Sequence, residues 1–305
     1  MSGRRYAVTG AAGFIGSHLA ETLLAAGDEV LGIDCFTDYY DPALKEDNAR
    51  GLDIERLDLA EDPLDFSGFD GVFHLAGQPG ARSFGPAFPS YLRGNLLASQ
   101  RLFEAAARDG VRVVSASSSS IYGASERYPT PEATVPAPLS PYGVSKLAVE
   151  HLSGAYERSF GLDVVTLRYF TVYGPRQRPD MAFTRIASAL AEERPFDLFG
   201  DGTQVRSFTY VSDVVDATVA AMQSGSSVYN VGGAHEASVK EVIAAFERLA
   251  GRELRIRQEP AVPGDPRRTS ADTTRIRTDL GWEPRVTLEE GLQAHWEWAA
   301  ARIRA

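Results

Sequence analysis

Gly10-Ala11-Ala12-Gly13-Phe14-Ile15-Gly16 is the stretch whose reading decides the fold. Before it, Arg5-Tyr6-Ala7-Val8-Thr9 reads as a short buried strand. After it, Phe14 to Ala26 reads as an amphipathic helix stopped by Gly27, and Val30-Leu31-Gly32-Ile33-Asp34 as a second strand. Strand, glycine-rich turn, helix and strand make one βαβ unit. Glycines suit the turn because it is tight and because a phosphate must approach the backbone closely. The helix N-terminus behind it offers unpaired N–H groups and the positive end of a dipole. The spacing is Gly-x-x-Gly-x-x-Gly, which alone is a weak signal. Its weight comes from the flanking elements and from Asp34 at the end of the second strand. That carboxylate suits both hydroxyls of an adenosine ribose and repels a 2′-phosphate, so the expected cofactor is NAD rather than NADP.

The alternation continues outward. Gly71–Ala76, Arg112–Ser117 and Asp163–Tyr169 read as strands, and Tyr91–Asp109 and Pro141–Phe160 as helices. This predicts a parallel sheet covered on both faces. After Tyr173 the pattern breaks at the loop Gly174-Pro175-Arg176-Gln177-Arg178-Pro179. Val228–Val231 reads as a further strand and Val239–Leu249 as an amphipathic helix. The expected fold is α/β, a Rossmann-type doubly wound parallel sheet with a smaller C-terminal α/β lobe. The expected division is a cofactor domain over residues 1–170, rejoined by part of 205–230, and a mainly substrate-binding lobe over 171–305.

Composition narrows the function classes. The 305 residues are 44% hydrophobic and 24% charged, ordinary for a globular chain with a sizeable core. A net charge of −10 argues against nucleic acid and anionic membranes as partners. No apolar run approaches the roughly 20 residues that span a bilayer. The N-terminus lacks the features of a signal peptide, and the lone Cys35 allows no intrachain disulfide. A cytoplasmic location is expected. His18, His74, His151, His235 and His295 show no metal-ligand spacing, so no metal is expected, and His74 reads as structural. A Gly-x-Ser-x-Gly elbow is absent, which leaves a serine hydrolase unsupported.

Chemistry enters with Tyr142-Gly143-Val144-Ser145-Lys146. Residues four apart share a helix face. A tyrosine is a poor base at neutral pH, and a neighbouring ammonium favours its phenolate. Such a pair can move a proton on and off a hydroxyl. The preceding strand ends in Ser115-Ala116-Ser117-Ser118-Ser119-Ser120-Ile121-Tyr122-Gly123, where a serine at a strand's C-terminal end faces the ligand crevice.

Taken in order, the Gly10–Gly16 turn, Asp34, His74-Leu75-Ala76-Gly77, Ser118, Tyr142 with Lys146, and Arg168 to Pro175 form a set. This set resembles the extended short-chain dehydrogenase/reductase family, in its nucleotide-sugar epimerase and dehydratase branch. The resemblance runs to Leu280-Gly281-Trp282-Glu283-Pro284. It implies bound NAD held by Gly10, Gly13, Phe14, Ile15, Gly16, Asp34, Leu75, Ala76, Tyr142 and Lys146, with Asp58 and Leu59 bordering the adenine. It also implies catalysis by Tyr142, Lys146 and Ser118, and usually a dimer.

Within the branch, 4,6-dehydratases carry Asp and Glu where Ser119 and Ser120 stand, and UDP-glucuronate decarboxylases carry Arg where Thr269 stands. Both sets of groups are missing, which leaves 4-epimerases. Phe36–Pro42 and Phe170–Ala182 resemble UDP-glucuronate 4-epimerases most closely. Departures exist: Gly77 and Pro79 stand where Ala is common, and Ser207 follows Arg206 where Asp is frequent. The expected reaction takes UDP-glucuronate to UDP-galacturonate through a transient 4-keto sugar. Arg206 and Arg268 lie in segments resembling diphosphate contacts. Arg82, Arg176 and Arg178 are further anion-binding candidates, because arginine's planar fork suits phosphate and carboxylate. Thr171, Ser119 and Ser120 could hydrogen-bond the sugar carboxylate, with Ser118 and Tyr142 at the reacting oxygen. The rival readings are a UDP-glucose or UDP-N-acetylglucosamine 4-epimerase, then a decarboxylase. From another class comes a non-catalytic NAD-binding regulator, and such proteins typically lose the Tyr or the Lys.

Overall fold

The computed structural model describes residues 3–80, 85–225, 228–262 and 264–304. Strand β1 (Arg5–Thr9) is buried from Tyr6 onward, as expected of a strand covered on both faces. It leads through the glycine-rich turn into α1 (Phe14–Ala25) and on to β2 (Glu29–Asp34). A short helix α2 (Pro42–Asn48) and strand β3 (Ile54–Arg56) follow, both too brief to show a period. Then come β4 (Gly71–His74), β5 (Val113–Ser118) and β6 (Val164–Tyr169).

These strands form a seven-stranded parallel sheet whose edge strand is Val228–Val231, followed by β6, β5, β4, β1, β2 and β3. The order runs outward in both directions from the β1–β4 pair. In such a sheet the ligand crevice opens beyond the carboxyl ends of the strands at that reversal. One core, with Val8, Leu19 and Val165, includes α1 and the helix Val211–Gln223; a second, with Val72, Leu102 and Val113, covers the opposite face.

The region expected as one helix from Tyr91 to Asp109 is more complex. It begins as α3 (Phe88–Tyr91), widens into a π-turn over Leu92–Leu97, and continues as α4 (Ala98–Asp109). A π-turn inserts a residue into the hydrogen-bond ladder without disturbing the apolar pattern enough to be read. Helix α5 (Pro141–Phe160) begins and ends where its sequence signals place it. Ser140 Oγ accepts from Gly143 N at 3.1 Å, Pro141 opens the helix, and Gly161 closes it in the left-handed region.

A smaller lobe packs beyond residue 171 around Phe183, Phe208, Phe246 and Leu292. Its three-stranded sheet sets Val205–Ser207 between Glu236–Ser238 and Arg268–Thr269, and a two-stranded sheet pairs Phe196–Phe199 with Ile256–Glu259. Among the described residues, no helix is long and apolar enough to cross a membrane.

Candidate active site

A cleft opens at the carboxyl ends of β1, β2, β4 and β5. Gly10, Gly13, Phe14, Ile15, Gly16, Asp34, Asp58, Leu59, Leu75, Ala76, Tyr142 and Lys146 all line it. The turn is shaped by close backbone approach. Gly10 has φ +72°, and a Cβ there would lie 2.9 Å from Ala76 N. At Gly16 a Cβ would lie 2.1 Å from Gly10 O, so only glycine fits. Gly13 differs: its Cβ would meet only Gly10 O, at 3.0 Å, and the space around it is otherwise open. Gly13 is also the α1 N-cap and gives no side-chain cap, which leaves the first N–H groups of the helix for a ligand. Asp34 Oδ2 accepts from Ala12 N at 3.2 Å and Oδ1 from Phe36 N at 2.8 Å. The carboxylate therefore fixes the turn while bordering the cleft.

The reacting end is built by α5 and β5. Tyr142 and Lys146 occupy the first turns of α5, and both face the cleft. Ser118 ends β5 and stands close enough to Tyr142 to lower its proton affinity. Ser118 Oγ also accepts from Ser120 N at 3.2 Å and donates to Ser120 Oγ at 3.1 Å. Burial raises the Tyr142 hydroxyl above its ordinary value; the Ser118 side chain and the Arg178 charge pull it back down. Lys146 is itself buried, and its Nζ donates to Ala116 O at 3.0 Å.

Burial pushes Lys146 down to about 8, opposed by the nearby Glu150 carboxylate. Holding the ammonium in the fold therefore costs stability. The cost is fully present below pH 8 and fades as pH rises toward 10.5, the unperturbed value. Lys146→Met is accordingly expected to gain up to about 3 kcal/mol of unfolding free energy at pH 7, while losing activity. Urea denaturation at pH 7 and pH 10 checks this: the gain should shrink at the higher pH. An equal or lower stability at pH 7 would contradict it.

Several neighbours escaped the sequence reading. Glu150, one turn beyond Lys146, accepts from Ser117 Oγ and forms a buried ion pair with Arg168 at 2.7 Å. Arg168 also donates to Tyr122 OH at 2.7 Å, which in turn donates to Asn230 Oδ1 at 2.7 Å. The i, i+4, i+8 spacing of Tyr142, Lys146 and Glu150 was the available signal. Asn95, in the π-turn, accepts from Gln78 N at 2.7 Å and donates to Ser145 Oγ at 2.9 Å. It thereby ties the loop after β4 to α5. Lys45 lines the cleft and donates to Thr37 O and Oγ1, each at 2.8 Å. His74 accepts or donates at Thr9 Oγ1 (2.9 Å) and Ser99 Oγ (2.8 Å), and burial holds it down at about 3, so it is a neutral structural group.

The anion candidates separate. Arg178 lines the same cleft as Tyr142 and pairs with Asp180. Ser119 and Ser120 form the turn directly after Ser118. Thr171 lies just after β6, and its carbonyl accepts from Thr209 N at 3.1 Å. Arg206 and Arg268 sit on adjacent strands of the small lobe, away from the cleft lining. Arg206 pairs with Asp265 and Arg268 with Glu236, each at 2.7 Å. Arg176 turns outward to Glu21 at 2.7 Å. Arg82 lies outside the described residues.

Known proteins resemble this chain along nearly its whole length. An uncharacterized UDP-glucose epimerase, YtcB, of Bacillus subtilis is 42% identical over 93% of this chain and 94% of its own. A UDP-glucuronate 4-epimerase of Thermodesulfobacterium geofontis is 36% identical over 98% of this chain and 97% of its own. The crystal structure of UDP-glucuronic acid 4-epimerase from Bacillus cereus, in complex with UDP-glucuronic acid and NAD, superposes with a TM-score of 0.95. It is 40% identical and covers 98% of this chain and 99% of its own. Residues 6–232 match the NAD dependent epimerase/dehydratase family. With its Rossmann sheet, glycine-rich turn and Tyr142–Lys146 pair, the chain belongs to this NAD-dependent epimerase/dehydratase family of extended short-chain dehydrogenase/reductases.

Proposed function

We propose that this enzyme catalyses NAD-dependent 4-epimerisation of a UDP-sugar, with UDP-glucuronate and UDP-galacturonate as the pair interconverted. One observation carries the substrate choice: Arg178 stands in the wall of the cleft close enough to Tyr142 to lower its proton affinity. A cation at the reacting end suits a sugar that bears a carboxylate. The turn Gly10–Gly16 and Asp34 would hold the pyrophosphate and adenosine ribose of NAD. When bound, NAD supplies the redox partner for sugar C4. Tyr142 takes the proton from the 4-hydroxyl and later returns it. Ser118 hydrogen-bonds the same oxygen and fixes its distance from Tyr142. Lys146 keeps a positive charge beneath this pair.

The remaining groups withhold other outcomes. Ser119 and Ser120 offer no acid or base for elimination. Arg178, with Thr171, holds the carboxylate against loss of CO₂ from the 4-keto sugar, a β-keto acid. Arg178→Ala should therefore weaken UDP-glucuronate binding and raise the share of UDP-pentose among products, read by chromatography; the absence of both changes would refute the role. Arg206 and Arg268 would take the diphosphate, with Asp265 and Glu236 orienting them. Residues 1–170 with part of 205–230 serve as the cofactor half and 171–305 mainly as the substrate lobe.

Phe88, Leu92, Leu97 and Val144 are exposed on the adjoining α3, π-turn and α5, which suits a homodimer across these helices. A cytoplasmic location fits the single cysteine. The similarity to the Bacillus subtilis UDP-glucose epimerase favours a second reading, a neutral UDP-hexose as substrate. Incubation with UDP-glucuronate, UDP-glucose and UDP-N-acetylglucosamine, followed by chromatography, decides between them. The uronate should give the fastest conversion, and conversion of the neutral sugars alone would reject the choice.

A further inference from the structure

Arg178 does not hang free in the cleft. Its Nε donates to Asp180 Oδ1 at 2.9 Å and its Nη2 to Asp180 Oδ2 at 3.0 Å. This uses the side-on edge of the guanidinium. The end-on edge, Nη1 with the second Nη2 hydrogen, remains. Nη1 makes no hydrogen bond within the described residues, and the Arg178 side chain, 21% exposed, lines the cleft. Asp180 is held from the other side. Tyr39 OH donates to Asp180 Oδ2 at 3.3 Å, and the Tyr39 ring lies 6.0 Å from the Arg178 guanidinium carbon. Burial and the Asp180 charge push the Tyr39 hydroxyl up to about 12, so it stays a donor at any ordinary pH. Tyr39 belongs to the segment after β2, which ends at Asp34, and it lines the same cleft.

We propose that Asp180, braced by Tyr39, is a positioning and specificity residue that clamps Arg178 side-on so that its end-on edge receives the carboxylate of a hexuronate. The inference rests on the uronate reading above and deepens it. An unclamped arginine loses much rotamer freedom when it binds, and that loss weakens the complex. A guanidinium already fixed along one edge presents a two-donor fork at little further entropic cost. The opposite possibility is that Asp180 merely occupies Arg178 and competes with the substrate carboxylate. The unengaged end-on edge argues against it, because two carboxylates can share one guanidinium on different edges.

The test uses NAD-loaded protein in a Tyr142→Phe background, so that no turnover occurs during titration. Calorimetry gives Kd for UDP-glucuronate and for UDP-glucose, with and without Asp180→Asn. The Asp180 side chain is exposed at 39%, so the substitution is tolerated by the fold. The expected result is at least a tenfold loss of the preference for UDP-glucuronate over UDP-glucose. Tyr39→Phe should shift the preference in the same direction by a smaller factor. Equal weakening of both ligands, an unchanged preference, or tighter UDP-glucuronate binding would each overturn the clamp. If the parent protein shows no preference for UDP-glucuronate, the uronate reading itself fails and the clamp with it. A strong parental preference that survives Asp180→Asn overturns the clamp alone.

Discussion

Tyr142→Phe is expected to lower kcat for epimerisation by about 10²–10⁴-fold, the usual worth of a positioned acid–base group. The substitution removes one oxygen and keeps the ring. That ring packs edge-to-face on Tyr91 at 6.1 Å, so α5 and the cleft should stand. Melting temperature and NAD binding should change little. The hydroxyl sits where Ser118 reaches it from β5 and where the Arg178 charge lowers its proton affinity. Without it, Ser118 is left beside the reacting oxygen, and an unactivated serine hydroxyl is too weak an acid and base near neutral pH to replace it. Ser118→Ala should cost less, because it removes one hydrogen bond to the reacting oxygen and leaves the base. Steady-state kinetics with UDP-glucuronate would show both effects. Near-normal turnover of Tyr142→Phe would refute the assignment.

Arg168→Met is expected to carry the largest stability loss, about 3–5 kcal/mol, because it leaves a buried carboxylate unpaired. Arg168 and Glu150 are 8% and 7% exposed and 2.7 Å apart. Arg168 further supplies Nη1 to Tyr122 OH and to Glu132 O at 3.0 Å. Removing it would strand Glu150 beside Ser117 and Lys146. The double variant Arg168→Met with Glu150→Met should recover much of the loss, since a buried pair replaced as a whole costs far less than half a pair. Urea unfolding at pH 7 measures the cycle. A single-variant loss under about 1 kcal/mol would show that water reaches the pair and screens it.

The sheet was legible where local signals agreed. The turn Gly10–Gly16, strand β1, helix α1 and Asp34 read correctly because periodicity, glycine placement and strand length all pointed one way. Helix α5 was bounded by Ser140, Pro141 and Gly161, which are strong local signals. The strand Val228–Val231 was also readable, although not its place at the sheet edge beside β6. The helix Val211–Gln223 packs on the large sheet with α1, in keeping with the expectation that part of 205–230 rejoins the cofactor domain, although no local period marks its bounds.

The site follows the same rule. Residues on the strand ends and the first turns of helices were found because their register fixes their direction. The Tyr39–Asp180 contact joins residues 141 apart in sequence, and the Asn95 bond to Ser145 joins residues 50 apart. Such pairings depend on how loops meet, and spacing carries no trace of them. Arg178 was named as an anion ligand from its residue type; the structure adds that one edge of it is already engaged.

The most direct test of the central claim uses UDP-glucuronate labelled with deuterium at sugar C4. If Tyr142 moves only the hydroxyl proton while the C4 hydrogen leaves and returns within the site, UDP-galacturonate should form with the label retained at C4. UDP-galacturonate that has lost its label to solvent, or a failure to form it at all, would contradict the mechanism.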